Sequence, residues 1–294
     1  MTSLLISQCA LICTIHNTIE CGRWLEHAYR LTDRLATLNT AICRAAAECY
    51  RRIGAARRPR MVPNGIDTSH FRPDDDRRRA VRDALGLGAE FVWLASGRLV
   101  EQKDCATLLE AFHRLHDSAS VLLIAGEGAL RASLQAQAEQ LGIAGRVRFL
   151  GFCADLAGLM NAADGYAMSS RWEGLPLALL EAAASGLPIV ATDAGGNGEL
   201  VSDKEGFLVP PADPSSLAAA MERLMALPAG RRAAMSAAAR NRVVRDYSVE
   251  IVVTEWEKIY REAIILRNGA INTGSQPDSG SFRGDGGHKP QPHI

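Results

Sequence analysis

The sequence predicts an α/β fold built on a parallel sheet, and three observations lead there. From Phe91 onward, short apolar runs alternate with stretches of helical periodicity. The apolar runs are continuous rather than alternating, the pattern of strands buried on both faces. The charged and glycine-rich residues gather in the segments that follow those runs, which is the end of such a sheet where ligands bind.

Taken in order, FVWLASG precedes a helical pattern near Ala106 to Leu115, and VLLIAG precedes one near Leu130 to Leu141. VRFLG leads into the segment Leu156 to Ala163, GYAMS into a helix from Pro176, and PIVATD follows that helix. Each strand-and-helix pair is a βα unit, and their succession implies helices on both faces. The intervening loops read GRLVEQKD, GEG, GF, SSRWEG and DAGGNGE. One edge of the sheet therefore collects the chemistry.

Upstream, MTSLLISQCALICTIHN is apolar but lacks a basic start and is interrupted by Ser7 and Gln8, so it reads as a buried strand rather than a targeting segment. Cys21 to Ala56 reads as largely helical and ends in RRPRMVPNGID, where Pro59, Pro63 and Gly65 break the pattern at an interdomain crossing. Downstream, Asp213 to Asp246 carries two Ala-rich helices, and Ser248 to Leu266 a third with Trp256 and Tyr260 four residues apart. After Asn268 apolar residues nearly vanish, and a mobile tail is expected.

With 294 residues and 47% hydrophobic content, the chain can build one large or two ordinary domains. Lys+Arg and Asp+Glu both number 33, which gives no bulk attraction to nucleic acid or to an anionic membrane. Seven cysteines at positions 9, 13, 21, 43, 49, 105 and 153 form no CxxC pair, which argues against a disulfide framework or a zinc knuckle and suits a reducing cytoplasm.

Two carboxylates, Glu173 and Glu181, bracket the apolar run of RWEGLPLALLEAAASG. Buried without partners they would be costly, so something polar is expected to meet them. Pro176 suits the first turn of the helix, which places the amides of Gly174, Leu175 and Leu177 at a positive terminus fit for an anion. Arg98 and Lys103 flank a loop directly after a strand, where a guanidinium and an ammonium can reach phosphate oxygens. Gly65 permits a positive φ and Asn64 can fix the turn with its side chain, so both read as structural. Gly126 and Gly128 let the chain pass a ligand or make a tight turn, and both readings stand. GGNGE, Gly195 to Glu199, lacks the lysine and spacing of a phosphate loop.

These features in this order, TIHN, VPNGID, GRLVEQKD, AGEG and SSRWEGLPLALLEAAASGLPIVATDAGGNGEL, resemble the C-terminal half of family 4 retaining glycosyltransferases (glycosyl transferases group 1) of the two-Rossmann, GT-B type. The resemblance implies one complete Rossmann-like C-terminal domain plus the remnant of an N-terminal Rossmann-like domain. Residues 1–60 are then a partial acceptor-side domain and linker, 61–246 the nucleotide-sugar domain, 247–267 a crossing helix and 268–294 a disordered tail.

By the same resemblance, Glu173 orients the transferred sugar and Glu181 holds the ribose. Arg98 and Lys103 stabilise the leaving diphosphate, with Gly97 and the backbone of Gly174, Leu175, Pro176 and Leu177 beside it, and His16 faces the sugar across the cleft. A UDP- or GDP-linked sugar is the implied co-substrate, with no cofactor and no metal. A hydroxyl of a sugar or glycolipid is the implied acceptor, no nucleic acid is involved, and peripheral association with the inner membrane face belongs to the same expectation.

The early part of the N-terminal domain has no counterpart before residue 10. Three accounts fit: a chain start placed too late, completion by a separate N-terminal half, and a non-catalytic donor binder. The first is the leading expectation; a nucleotide-sugar-binding or scaffolding protein is the alternative to an enzyme.

Overall fold

The computed structural model describes residues 9–16, 18, 23–54, 59–117 and 119–273, with the backbone alone for 23–25, 34 and 269–273. The expectations for Asn17, for residues before 9 and for 274–294 lie outside the described residues.

Strand β1 (Ile12–Ile15), helix α1 (Arg23–Thr32), strand β2 (Leu38–Ala41), helix α2 (Arg44–Arg52) and strand β3 (Arg60–Met61) build a three-stranded parallel sheet in the order β1-β2-β3. β2 departs from the largely helical reading of Cys21 to Ala56. Its sequence, LNTA, is short and half polar and so offers no apolar run, yet Thr40 is fully buried and donates its hydroxyl to Thr14 Oγ1 at 2.9 Å across the strand pair. β1 is buried only at Ile15; Leu11 and Cys13 are exposed, because one side of this strand has no neighbour in the described sheet.

Helix α3 (Asp75–Ala84) follows, with no buried residue. Asp74 caps it by accepting from Arg77 N at 2.9 Å, and its arginines do the anchoring. Arg78 and Arg82 both pair with Asp164, at 2.6 and 3.2 Å, and donate to the carbonyls of Asn161, Ala162 and Ala163.

The second sheet arises from β4 (Val92–Ser96), α4 (Cys105–His113), β5 (Val121–Ala125), α5 (Arg131–Gln140), β6 (Val147–Gly151), α6 (Leu156–Ala162), β7 (Gly165–Met168), α7 (Leu177–Ala184), β8 (Ile189–Thr192), α8 (Asn197–Leu200) and β9 (Gly206–Val209). Its six strands are all parallel, in the order β6-β5-β4-β7-β8-β9. Helices α9 (Pro214–Met225) and α10 (Ala229–Asp246) complete its cover. Alternate residues face two cores: Leu94 and Leu123 meet Leu179, Leu180 and Val243 on one side, while Trp93, Leu122 and Ile124 meet Phe112, Leu217 and Met221 on the other. The continuous apolar strands follow from this two-sided burial.

From β4 the chain runs outward through β5 and β6, then returns to the other side of β4 and runs outward through β7, β8 and β9. β4 and β7 therefore border the point where the winding reverses, and the crevice beyond their carboxyl ends is where an open α/β sheet binds ligands.

Helix α11 (Val249–Thr273) returns to the first sheet, packing Val252 and Ile259 on Val62 with Ile12, Leu38 and Trp256 beside them. Trp256 stacks on Tyr260 at 5.5 Å. The helix runs on to Thr273, past the tail boundary expected at 268, since propagating an established helix fixes one residue per added bond. Gly65 is needed here for space rather than for a positive φ: a Cβ on it would lie 3.2 Å from Val249 Cα. Among the described residues no helix is long and apolar enough to cross a membrane.

Candidate functional site

Gly97 follows β4 with φ +145° and donates its amide to Ala125 O at 3.0 Å. The Lys103 side chain lies over it, 3.3 Å from where a Cβ would stand, and this path carries the ammonium to the loop after β7. There Lys103 Nζ meets Glu173 Oε1 at 2.5 Å, with the two side chains only 17% and 6% exposed. Gln102 Nε2 donates to Trp172 O at 3.0 Å and lies 3.5 Å from Glu173 Oε2. Arg171 pairs with the buried Asp104 at 3.0 Å, Arg171 N donates to Gln102 O at 2.8 Å, and Ser169 Oγ donates to Lys103 O at 2.9 Å. The loops after β4 and β7 are thereby stitched together at the reversal point.

The backbone bearing Glu173 is fixed from three further directions. Thr18 Oγ1 donates to Glu173 O at 2.7 Å. Asn64 Nδ2 donates to Leu175 O at 2.8 Å, and Gly196 N donates to Gly174 O at 2.7 Å. Gly174 and Gly195 allow these approaches, because a Cβ on Gly174 would fall 2.1 Å from His16 O and one on Gly195 1.8 Å from Glu173 O. Gly195 and Gly196 thus form a bracing turn that leads into α8. Gly126 and Gly128 do the same for the neighbouring loop, where added Cβ atoms would fall 1.9 Å from Gly97 O and 2.3 Å from Leu99 O.

Pro176 stands one position earlier than expected. It is the N-cap of α7, in extended conformation with φ −72° and ψ 129°, and the helix begins at Leu177. Proline has no side-chain acceptor, so the N-cap provides no side-chain hydrogen bond. The first amides of α7 lack intrahelical acceptors and form its positive end.

Glu181 lies farther along α7, half-buried, and burial raises its carboxyl above the usual range. Beneath it Tyr166 is fully buried in β7, its hydroxyl 3.1 Å from Ser96 Oγ. Burial pushes the phenol up, and the charges of Glu181 and Glu173 both add to this, so the two carboxylates share one neighbourhood. Burial also pushes the Cys105 thiol up to about 11, which leaves it protonated and no nucleophile near neutrality.

The structure therefore brings Gly97, Lys103, Glu173, Gly174, Leu175, Pro176 and Leu177 together. Arg98 shares the β4 loop, exposed and without an ion-pair partner among the described residues. His16 meets the site through its carbonyl, while its residue is exposed. Sequence reasoning gave no role to Thr18 or Gln102; Gln102 lies within GRLVEQKD and Thr18 directly follows TIHN, and that position was the available signal. Among the described residues no group of three or more His, Cys, Asp or Glu is placed to hold a metal ion.

The site offers an ammonium, a free guanidinium, an uncapped helix terminus and two carboxylate acceptors. Such a set suits an anion that carries hydroxyl groups at its ends.

Comparison with known proteins finds relatives of this chain. A UDP-Gal:alpha-D-GlcNAc-diphosphoundecaprenol alpha-1,3-galactosyltransferase of Escherichia coli is 29% identical over 212 residues, covering 70% of this chain and 54% of the relative. A GDP-mannose-dependent alpha-(1-6)-phosphatidylinositol monomannoside mannosyltransferase of Mycolicibacterium smegmatis is 38% identical over 194 residues, covering 61% and 50%. The chain thus spans about half the length of these relatives. The Anabaena HepE structure in complex with UDP shares the fold with a TM-score of 0.82 at 24% identity, over 88% of this chain and 74% of that one. Residues 78–242, more than half of the chain, match glycosyl transferases group 1, and the chain belongs to that family.

Proposed function

We propose that this chain carries the donor site of a retaining glycosyltransferase, one that moves a hexosyl unit from a UDP- or GDP-linked sugar to a hydroxyl acceptor in polysaccharide or glycolipid synthesis. The observation that carries the reading is the convergence of Lys103, Glu173 and the uncapped amino end of α7 at the reversal point of the sheet. The named activities of the two curated relatives, one using UDP-Gal and one GDP-mannose, support a nucleotide sugar as donor.

In this reading the diphosphate lies against the amides that open α7, with Arg98 and Lys103 on its oxygens. Glu181 accepts from the ribose hydroxyls and Glu173 from those of the sugar. The bond from the anomeric carbon to the phosphate oxygen breaks while the acceptor oxygen bonds to that carbon on the same face. The acceptor proton passes to the leaving phosphate, so no separate general base is required. Positive charge comes from protein groups, and no metal is required.

Calorimetric titration of the folded chain with UDP, GDP and ADP sugars tests the reading. At least one should bind; the absence of binding by all of them and by their nucleoside diphosphates would refute it.

A further inference from the structure

Lys103 and Glu173 have been assigned to different parts of one ligand, yet the structure pairs them with each other. Their contact is 2.5 Å, and both side chains are largely withdrawn from water, so it is not a screened surface pair. The Lys103 stem is held over Gly97, Glu173 O accepts from Thr18, and the adjoining Gly174 O accepts from Gly196, which keeps the two charged ends within reach. Among the described residues the other side-chain partner of Glu173 is weak, Gln102 Nε2 standing 3.5 Å from its second oxygen. A ligand that needs the ammonium must therefore compete with this carboxylate.

We propose that the Lys103–Glu173 pair makes the site select a sugar-bearing nucleoside diphosphate over the bare one, with Glu173 as the specificity-determining residue. The proposal rests on the donor-site reading above. A sugar offers hydroxyl donors that satisfy Glu173 and release Lys103 to the diphosphate. A bare nucleoside diphosphate offers none, and Glu173 keeps the ammonium. Its exposed terminal phosphate also carries more negative charge close to the same carboxylate, and like charges in a partly desolvated site repel. Both effects act in one direction: the carboxylate that welcomes the donor disfavours the nucleotide product, which helps the product leave once the sugar has gone.

The test is calorimetry on the full chain with UDP and UDP-glucose, and with GDP and GDP-mannose. Glu173→Gln should bind the bare diphosphate about tenfold more tightly than the wild type while losing preference for the sugar-bearing form. Lys103→Met placed in the Glu173→Gln background should abolish that gain, since the freed ammonium is its source. Weaker or unchanged binding of the bare diphosphate by folded Glu173→Gln would overturn the proposal.

The wild-type chain provides a test that needs no variant. UDP methyl ester matches UDP-glucose in charge but lacks the sugar hydroxyls, and should bind about tenfold more weakly than UDP-glucose. Equal affinities would overturn the proposal. If the wild type binds neither diphosphate nor nucleotide sugar, the failure lies with the donor-site reading itself, and the two failures are thus distinguished.

Discussion

At its carboxyl end α7 leaves little unsatisfied. Gly186 adopts φ +74° and donates to Ala183 O at 3.0 Å, Leu187 N donates to Ala182 O at 3.0 Å, and Arg240 donates to the carbonyls of Ala184, Phe71 and Thr68. At its amino end the same helix has a proline cap with no side-chain hydrogen bond, an exposed Leu177, and charged neighbours. At one terminus the protein itself supplies the backbone hydrogen bonds, leaving only the buried Ser185 hydroxyl without a partner among the described residues. The other terminus keeps hydrogen-bonding capacity that a ligand can complete, and this difference within one helix is a sharper guide to function than the charge of either end.

The comparison breaks most visibly at the closed end. Arg240→Met strips donors from three carbonyls and should lower unfolding stability by about 3 kcal/mol, read as a fall in Tm, while the folded fraction still binds nucleotide. An unchanged Tm would show that Arg240 is not the clamp its contacts describe. At the open end Arg98→Ala should do the reverse: Tm unchanged, because the residue is exposed and unpaired, and nucleoside diphosphate binding weakened about ten- to a hundredfold. Loss of stability without loss of affinity would exchange the roles assigned to the two ends.

Glu181 lies between them and should show both effects. Its carboxyl is raised by burial, so the unfolded chain releases that proton first, near pH 4.3, roughly the free glutamate value. Stability therefore falls as pH rises from there to the higher folded pKa, and the loss persists above it. Glu181→Gln should melt higher than the wild type at neutral pH, with the gap closing in acid, yet weaken ribonucleotides more than their 2′-deoxy counterparts. Equal losses for both nucleotides would remove the ribose role. The smallest expected effect is from chelation: EDTA should leave nucleotide affinity unchanged, since Arg98, Lys103 and the α7 terminus supply the positive charge. A marked loss would call for a bound cation.

The contrast between the two sheets also explains what could be read in advance. Strands β4 to β8 are legible because burial writes near-continuous apolar runs, whereas the four-residue edge strand β9, GFLV, was not read. β2 and α3 are not legible: LNTA holds its place through Thr40 and Thr14, and α3 through arginines that reach Asp164 and nearby carbonyls, so neither has an apolar signature. At the site the charged residues were legible from their position after strands. The Lys103–Glu173 contact was not, because it joins residues 70 positions apart, and neither was Thr18, which reaches Glu173 O across 155 positions. Gly65 was recognised as structural for the wrong reason, since its neighbour on α11 is invisible to local pattern. Such pairings depend on the order of the strands, which local sequence does not encode.

The central claim is that the diphosphate binds at the reversal point between β4 and β7, against the open end of α7. Amide NMR shifts of the full chain on titration with UDP and with GDP test it most directly. For the nucleotide that binds, the largest changes should fall in residues 97–104 and 173–181. Changes concentrated instead around the cavity lined by Arg44, Met61, Glu199 and Arg242, or no changes with either nucleotide, would contradict the account.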